Sequence, residues 1–124
     1  MRKLIVQLWQ TSPEQPQLAA TPFMLAAAAA AMDLDVELHA LGASVELFVR
    51  DNPMRERLVL PPGRALSAYV EDALRAGARI YACSTAMRDR ELGTDRMIDG
   101  FSEILGMVTM LERSLAEDVT VMTF

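Results

Sequence analysis

The chain has 124 residues, of which 52% are hydrophobic, and it carries a formal net charge of −5 at pH 7. This length and hydrophobicity predict one folded domain over residues 1–124 and exclude a disordered chain. The acidic balance argues against direct nucleic-acid binding, and a single Cys and a single His argue against an internal disulfide or a metal centre.

The first forty residues predict two strands and one helix. Residues 3–9 are apolar nearly throughout, as buried parallel strands are. Thr21 and Pro22 predict a helix start, with the proline in the first turn, and the Ala-rich residues 23–32 predict the helix itself. Residues 33–40 alternate between apolar and polar side chains, which indicates a second strand.

The middle of the chain predicts a long connection, a helix and a third strand. Residues 41–63 predict an irregular connection with several breakers and a short turn of helix at 42–48, and their role stays open. Residues 64–76 place apolar side chains on one helical face, and Gly77 ends that helix. Residues 79–83 form the third strand, followed by a short helix that carries Met87.

The last third predicts a short helix at 93–99, a fourth strand within 100–106, a helix from Met107 to Leu115 and a final strand at 118–124. This alternation predicts an α/β fold with a mainly parallel sheet of about five strands, right-handed crossovers and helices on both faces.

No segment predicts export or membrane insertion. The N-terminal apolar run stops at Gln7, which is too short for a signal peptide. The apolar segment 23–32 is far shorter than the roughly 20 residues that a membrane-spanning helix needs. We therefore expect a cytoplasmic protein without membrane contact.

The only cysteine lies where a strand is predicted to end and a helix to begin. Cys83 closes the third strand, and Ser84 and Thr85 follow it as residue types that cap helix N-termini. Ligands bind at this carboxyl edge in open α/β sheets, and a helix N-terminus favours the thiolate. We predict a solvent-reachable, reactive Cys83 stabilised at Ser84 and Thr85. The alternative is a packed thiol that behaves as a small apolar residue.

Four other side chains could border this thiol, each with a plainer alternative. His39 ends the second strand and could act as a base, or it could simply end the strand. Trp9 ends the first strand and could line a pocket or belong to the core. Arg88 and Arg90 follow Cys83 and could bind an anionic donor such as thiosulfate, or lie on a solvated helix face.

The chain resembles the DsrE/DsrF-like sulfur-relay family, which includes the Tus relay subunits used in tRNA thiolation. The resemblance covers nearly the whole sequence. Its most specific parts are the segment Gly77-Ala78-Arg79-Ile80-Tyr81-Ala82-Cys83 and the short last strand that ends in Phe124.

The resemblance implies a three-layer α/β/α domain that assembles as a trimer, a hexamer or a hetero-hexamer. It also implies a sulfurtransferase that needs no cofactor, in which Cys83 accepts sulfane sulfur as a persulfide. The sulfur would come from a donor protein or a small sulfane-sulfur compound and pass to a partner thiol. The resemblance does not separate tRNA thiolation from dissimilatory sulfur oxidation, although we favour the latter slightly.

Two other functions remain open from the sequence. The chain could be a non-catalytic scaffold subunit of a sulfur-relay complex, in which Cys83 is structural. A weaker alternative is a thiol sensor that forms intermolecular disulfides. A dithiol oxidoreductase is disfavoured, because it needs a second cysteine.

Overall fold

The computed structural model describes residues 2–124, which contain a five-stranded parallel sheet. Its strands are β1 (Lys3–Leu8), β2 (Asp35–Ala40), β3 (Arg79–Cys83), β4 (Phe101–Leu105) and β5 (Val119–Thr123). The strand order is β4-β3-β2-β1-β5, and every neighbouring pair is parallel. The helices are α1 (Pro16–Ala31), α2 (Leu66–Ala76), α3 (Ser84–Asp89) and α4 (Met107–Ser114). The predicted α/β class, with helices on both faces, is confirmed.

One face of the sheet carries the apolar core beneath α1 and α2. Alternate residues of the three central strands are buried there, together with Phe23 of α1 and Val70 of α2. The ring of Phe23 lies edge-on to that of Phe48, with centroids 5.8 Å apart. Phe48 belongs to a 3₁₀ helix (Gly42–Phe48) in the long connection. The core therefore reaches from the sheet into that connection.

The opposite face of the sheet is unusually polar for buried strands. It presents Glu37 and His39 of β2, which are 0% and 1% exposed, and Tyr81 and Cys83 of β3. Helix α4 covers part of this face, since its Arg113 bonds to Glu37. At these four positions, the residues that alternate with the apolar core are thus buried too.

The predicted start of the first helix at Thr21 and Pro22 is wrong. Helix α1 begins at Pro16, so Pro22 lies inside the helix. Pro16 occupies the first turn, where a missing N–H costs nothing. Pro22 cannot donate to the carbonyl of Leu18, so the helix lacks one backbone hydrogen bond at this position.

The turn between α2 and β3 is as predicted. Gly77 ends α2 in the left-handed conformation, with φ of 116°, and β3 begins two residues later. Separately, no helix of the described residues combines the length and apolarity that crossing a bilayer requires.

Candidate functional site

Cys83 lies at the carboxyl end of β3 and contributes to the wall of a cavity of about 370 Å³. The residue is only 3% exposed, so the expectation of a solvent-reachable thiol needs correction. The cavity instead has a rim of exposed residues, which include Thr85, Asp89 and Met107. Its full lining comprises Leu41, Gly42, Cys83, Thr85, Ala86, Asp89, Arg90 and Met107.

The predicted capping of α3 by Ser84 and Thr85 is wrong. Strand β3 runs into α3 without a loop, so Cys83 itself is the N-cap residue and Ser84 is already helical. No side chain caps the helix. An N-cap side chain can reach the backbone N–H groups two and three residues further on, here those of Thr85 and Ala86. Cys83 thus stands at the sequence position that usually supplies a capping oxygen, but its sulfur makes no capping hydrogen bond.

Arg90 is the one of the four candidate neighbours that the structure places in this cavity. Its Nε lies 3.8 Å from Oε1 of Glu46, and its Nη1 donates to the carbonyl of Ala86. It also borders a second cavity, of about 360 Å³, together with Glu14 and Glu46. Arg88 is exposed and does not line the thiol cavity. The cation beside Cys83 is therefore already paired with a carboxylate.

Trp9 and His39 do not line the thiol cavity. Trp9 is 52% exposed, so it belongs to neither that pocket nor the core. His39 pairs in register with Tyr81, and their rings pack edge to face with centroids 5.8 Å apart. Its Nε2 lies 2.8 Å from Oε1 of Glu37. This arrangement does not support His39 as the base for Cys83.

A buried ionic cluster surrounds Glu37 on the same face of the sheet. Lys3 donates from Nζ to Oε2 of Glu37 at 2.6 Å, and Arg113 donates from Nη1 to both oxygens at 3.1 Å. Nη2 of Arg79 lies 3.5 Å from Oε2 of Glu37. The side chains of Lys3 and Arg113 keep 25% and 30% of their surface exposed. Partly solvated cations thus neutralise a fully buried carboxylate.

The cluster fixes the protonation states of its two buried members. Burial tends to raise the pKa of Glu37, but hydrogen bonds from Lys3, His39 and Arg113 outweigh it and lower the pKa from 4.5 to about 2. Burial also lowers the pKa of His39, more than its bond to Glu37 raises it. An ionised Glu37 only accepts, so the neutral His39 carries its proton on Nε2. Its Nδ1 is then a buried acceptor that finds no partner among residues 2–124.

The sequence interpretation missed most of what surrounds the thiol. Leu41 comes from the long connection, as does Glu46, which pairs with Arg90, and Met107 comes from the start of α4. The long connection also contacts the segment that follows β1, since Ser44 donates to the carbonyl of Thr11. Nothing in residue spacing signals that meeting. The ionic cluster did leave a signal, because charged residues alternate with apolar ones in otherwise buried strands.

No group of His, Cys, Asp and Glu within residues 2–124 is arranged to hold a metal ion. What the cavity offers is one thiol, the first-turn backbone of α3 and a balanced pair of charges from Asp89 and Arg90. Of these groups, the thiol is the one that can take part in exchange reactions at sulfur.

Comparison with known proteins agrees with this description. The sequence profile of the DsrE/DsrF-like family matches residues 3–124. No protein with a curated description matches significantly.

Solved structures with a similar fold come from three organisms. The YchN protein from E. coli is 22% identical, with a TM-score of 0.76 over 100% of this chain and 99% of YchN. MTH1491 from Methanobacterium thermoautotrophicum, a protein of unknown function, is 16% identical, with a TM-score of 0.70 over 100% of both chains. BT1422 from Bacteroides thetaiotaomicron, also of unknown function, is 18% identical, with a TM-score of 0.66 over 98% of this chain and 94% of its own. These likenesses support the fold.

Proposed function

Because the chain belongs to the DsrE/DsrF-like family, which is associated with sulfur relay, we propose that it is a cytoplasmic sulfurtransferase that carries sulfane sulfur on Cys83. The observation that carries this proposal is the position of the thiol. The chain's single cysteine ends β3 at the sheet's carboxyl edge and lines a cavity with an exposed rim. We also propose that residues 1–124 act as one DsrE-like domain.

The chemistry consists of two exchanges at sulfur. The Cys83 thiolate attacks the outer sulfur of a donor persulfide, forming one S–S bond while the donor's S–S bond breaks and the donor leaves as a thiolate. An acceptor thiolate then attacks the outer sulfur of the Cys83 persulfide and releases the Cys83 thiolate. Each step conserves charge and electrons, so no oxidant, metal or cofactor is needed. In this proposal, the backbone N–H groups of Ser84, Thr85 and Ala86 in the first turn of α3 stabilise the anion.

The charges around the cavity favour a persulfide presented by another protein over free thiosulfate. Arg90 faces Glu46, and Asp89 lies on the same rim, so the cavity has no excess of positive charge to attract a dianion. A partner's cysteine brings its own binding surface and depends less on charge at the thiol. Arg90 then orients the outer sulfur rather than recruiting the donor.

The burial of Cys83 supports a second candidate, a non-catalytic scaffold subunit. A thiol that is 3% exposed could be a packed residue that no partner reaches. The cavity beside it favours the carrier, because a purely structural cysteine needs no adjoining space. Reaction of the folded protein with an alkylating reagent separates the two, since a packed thiol reacts only on unfolding.

We propose that the protein works as a homo-oligomer, a trimer or a hexamer. Many large apolar side chains are exposed on α1 and α4, more than scattered surface residues would provide. They are Leu18, Met24, Leu25, Val108 and Leu111. Light scattering during gel filtration should report a multiple of the chain mass, and a monomer at all concentrations would overturn this part of the proposal.

The carrier role is tested by loading and discharge. The protein is incubated with polysulfide or with a persulfidated donor protein, and its intact mass is measured. We expect one added sulfur in the wild type, its loss on addition of an acceptor thiol, and no addition in Cys83→Ser. Undiminished loading of Cys83→Ser would show that sulfur binds elsewhere.

A further inference from the structure

Helix α4 is attached to the sheet by very few side chains. Met110 is its only buried residue, at 2% exposure. Arg113 also ties the helix to the sheet: it donates to both oxygens of Glu37 and lies with its guanidinium 4.6 Å from the centre of the Tyr81 ring. The position of the C-terminal half of α4 therefore depends strongly on one arginine.

The opposite end of the same helix forms part of the thiol cavity. Met107, the first residue of α4, lines the cavity together with Cys83 and is 51% exposed. Six residues of helix separate Met107 from Arg113, a rise of about 9 Å. Tyr81 and Cys83 are two residues apart and lie on the same face of β3. Helix α4 thus reaches from the Tyr81 position, where it is anchored, to Cys83, where it forms a wall.

Burial of the Glu37 carboxylate costs free energy, which argues that its contact with Arg113 has a role beyond filling space. A fully buried carboxylate is held by Lys3, His39 and Arg113, although an apolar residue in place of Glu37 would avoid burying a charge. Of these three partners, only Arg113 comes from outside the strands. Lys3 and His39 hold the carboxylate at a fixed point on the sheet, and Arg113 ties the helix to that point.

We propose that Glu37 and Arg113 are positioning residues that hold the start of α4 over Cys83 and so control the access of a second thiol. The inference rests on the proposed function in one respect: access to Cys83 matters because sulfur must pass between its thiol and another. Arg113 touches neither the thiol nor its cavity, and it acts through Met107. Met107 follows β4 through Gly106 alone, so release of the contact would let α4 pivot at Gly106 and tilt Met107 away from Cys83.

The test is the rate at which iodoacetamide alkylates Cys83 in the folded protein, followed by intact mass at equal protomer concentration. We expect Arg113→Met to raise this rate about tenfold, through a larger population of the open form. Arg113→Lys, which keeps a charge opposite Glu37, should stay close to wild type. Met107→Ala should also raise the rate, while its urea midpoint stays near that of the wild type because the side chain is half exposed.

A matched control uses an arginine in an exposed ion pair. Arg75→Met removes the contact of Arg75 with Asp72, far from the thiol, and should leave the alkylation rate unchanged. The proposal is overturned if Met107→Ala reacts at the wild-type rate, and that variant decides the question alone if Arg113→Met does not fold. It is also overturned if Arg113→Lys reacts as fast as Arg113→Met. Alkylation does not require sulfur transfer, so failure of the carrier role would appear in the loading assay instead.

Discussion

Replacing Glu37 by Gln tests how much the buried carboxylate stabilises the fold. The pKa of Glu37 is lowered from 4.5 to about 2. At about 1.4 kcal/mol for each pKa unit, the folded state favours the ionised form by roughly 3 kcal/mol. Gln resembles the protonated acid in shape and removes the charge. We expect Glu37→Gln to lower the free energy of unfolding by about 3 kcal/mol at pH 7.

The same reasoning fixes the dependence on pH. Because the pKa of Glu37 is lower in the folded state, the unfolded chain binds a proton first as the pH falls below about 4.5. The stabilisation by Glu37 is therefore complete above that pH and disappears as the pH approaches 2. The wild type should lose its advantage over Glu37→Gln across this interval, and the two proteins should converge.

The assay is urea unfolding followed by circular dichroism at several pH values between 7 and 3, at one protomer concentration. Glu103→Gln is the matched control, because Glu103 is exposed on β4 and the same chemical change should leave the midpoint nearly unaltered. A stability difference between wild type and Glu37→Gln that stays constant down to pH 3 would refute the reasoning. So would a difference near zero at pH 7.

Two further predictions concern the backbone and the core. Gly77→Ala should destabilise the protein by about 1–2 kcal/mol in urea unfolding, because φ of Gly77 is 116°. Lack of space is not the cause, since no atom outside the adjoining residues lies within 4 Å of an added Cβ. Phe23→Ala should cost about 3–5 kcal/mol, because it removes a fully buried ring that packs on Phe48. Trp9→Ala, at a half-exposed ring, should change the same midpoint little, and an equal loss in both variants would contradict the assignment of the core.

The fold was predictable because its signals are local. The predictions rest on alternating apolar residues, on Gly77 after an apolar helical face and on the order of strands and helices. Each of these signals depends on neighbouring residues only, and all five strands are confirmed. The start of α1 was misjudged because Thr21 and Pro22 resemble a helix start so closely. Helix α1 begins instead at Pro16, within the segment 11–17, whose two prolines are typical of a loop.

The surroundings of Cys83 were much less predictable, because they depend on which loops meet. The end of β3 follows from the sequence, and so does the position of Arg90 nearby. The pairing of Arg90 with Glu46 needs the long connection to fold back over the strand ends. His39 shows the same limit, since its polar type suggested chemistry, while the register places it opposite Tyr81 and its bond goes to Glu37.

The most direct test of the central claim is to find the carried sulfur on its residue. After incubation with a persulfidated donor, free sulfur groups are blocked with iodoacetamide and the protein is digested with trypsin, which releases residues 80–88 as one peptide. The account predicts that this peptide carries one additional sulfur between Cys83 and the blocking group. Recovery of the peptide without added sulfur, under conditions in which the donor has lost its own, would contradict it.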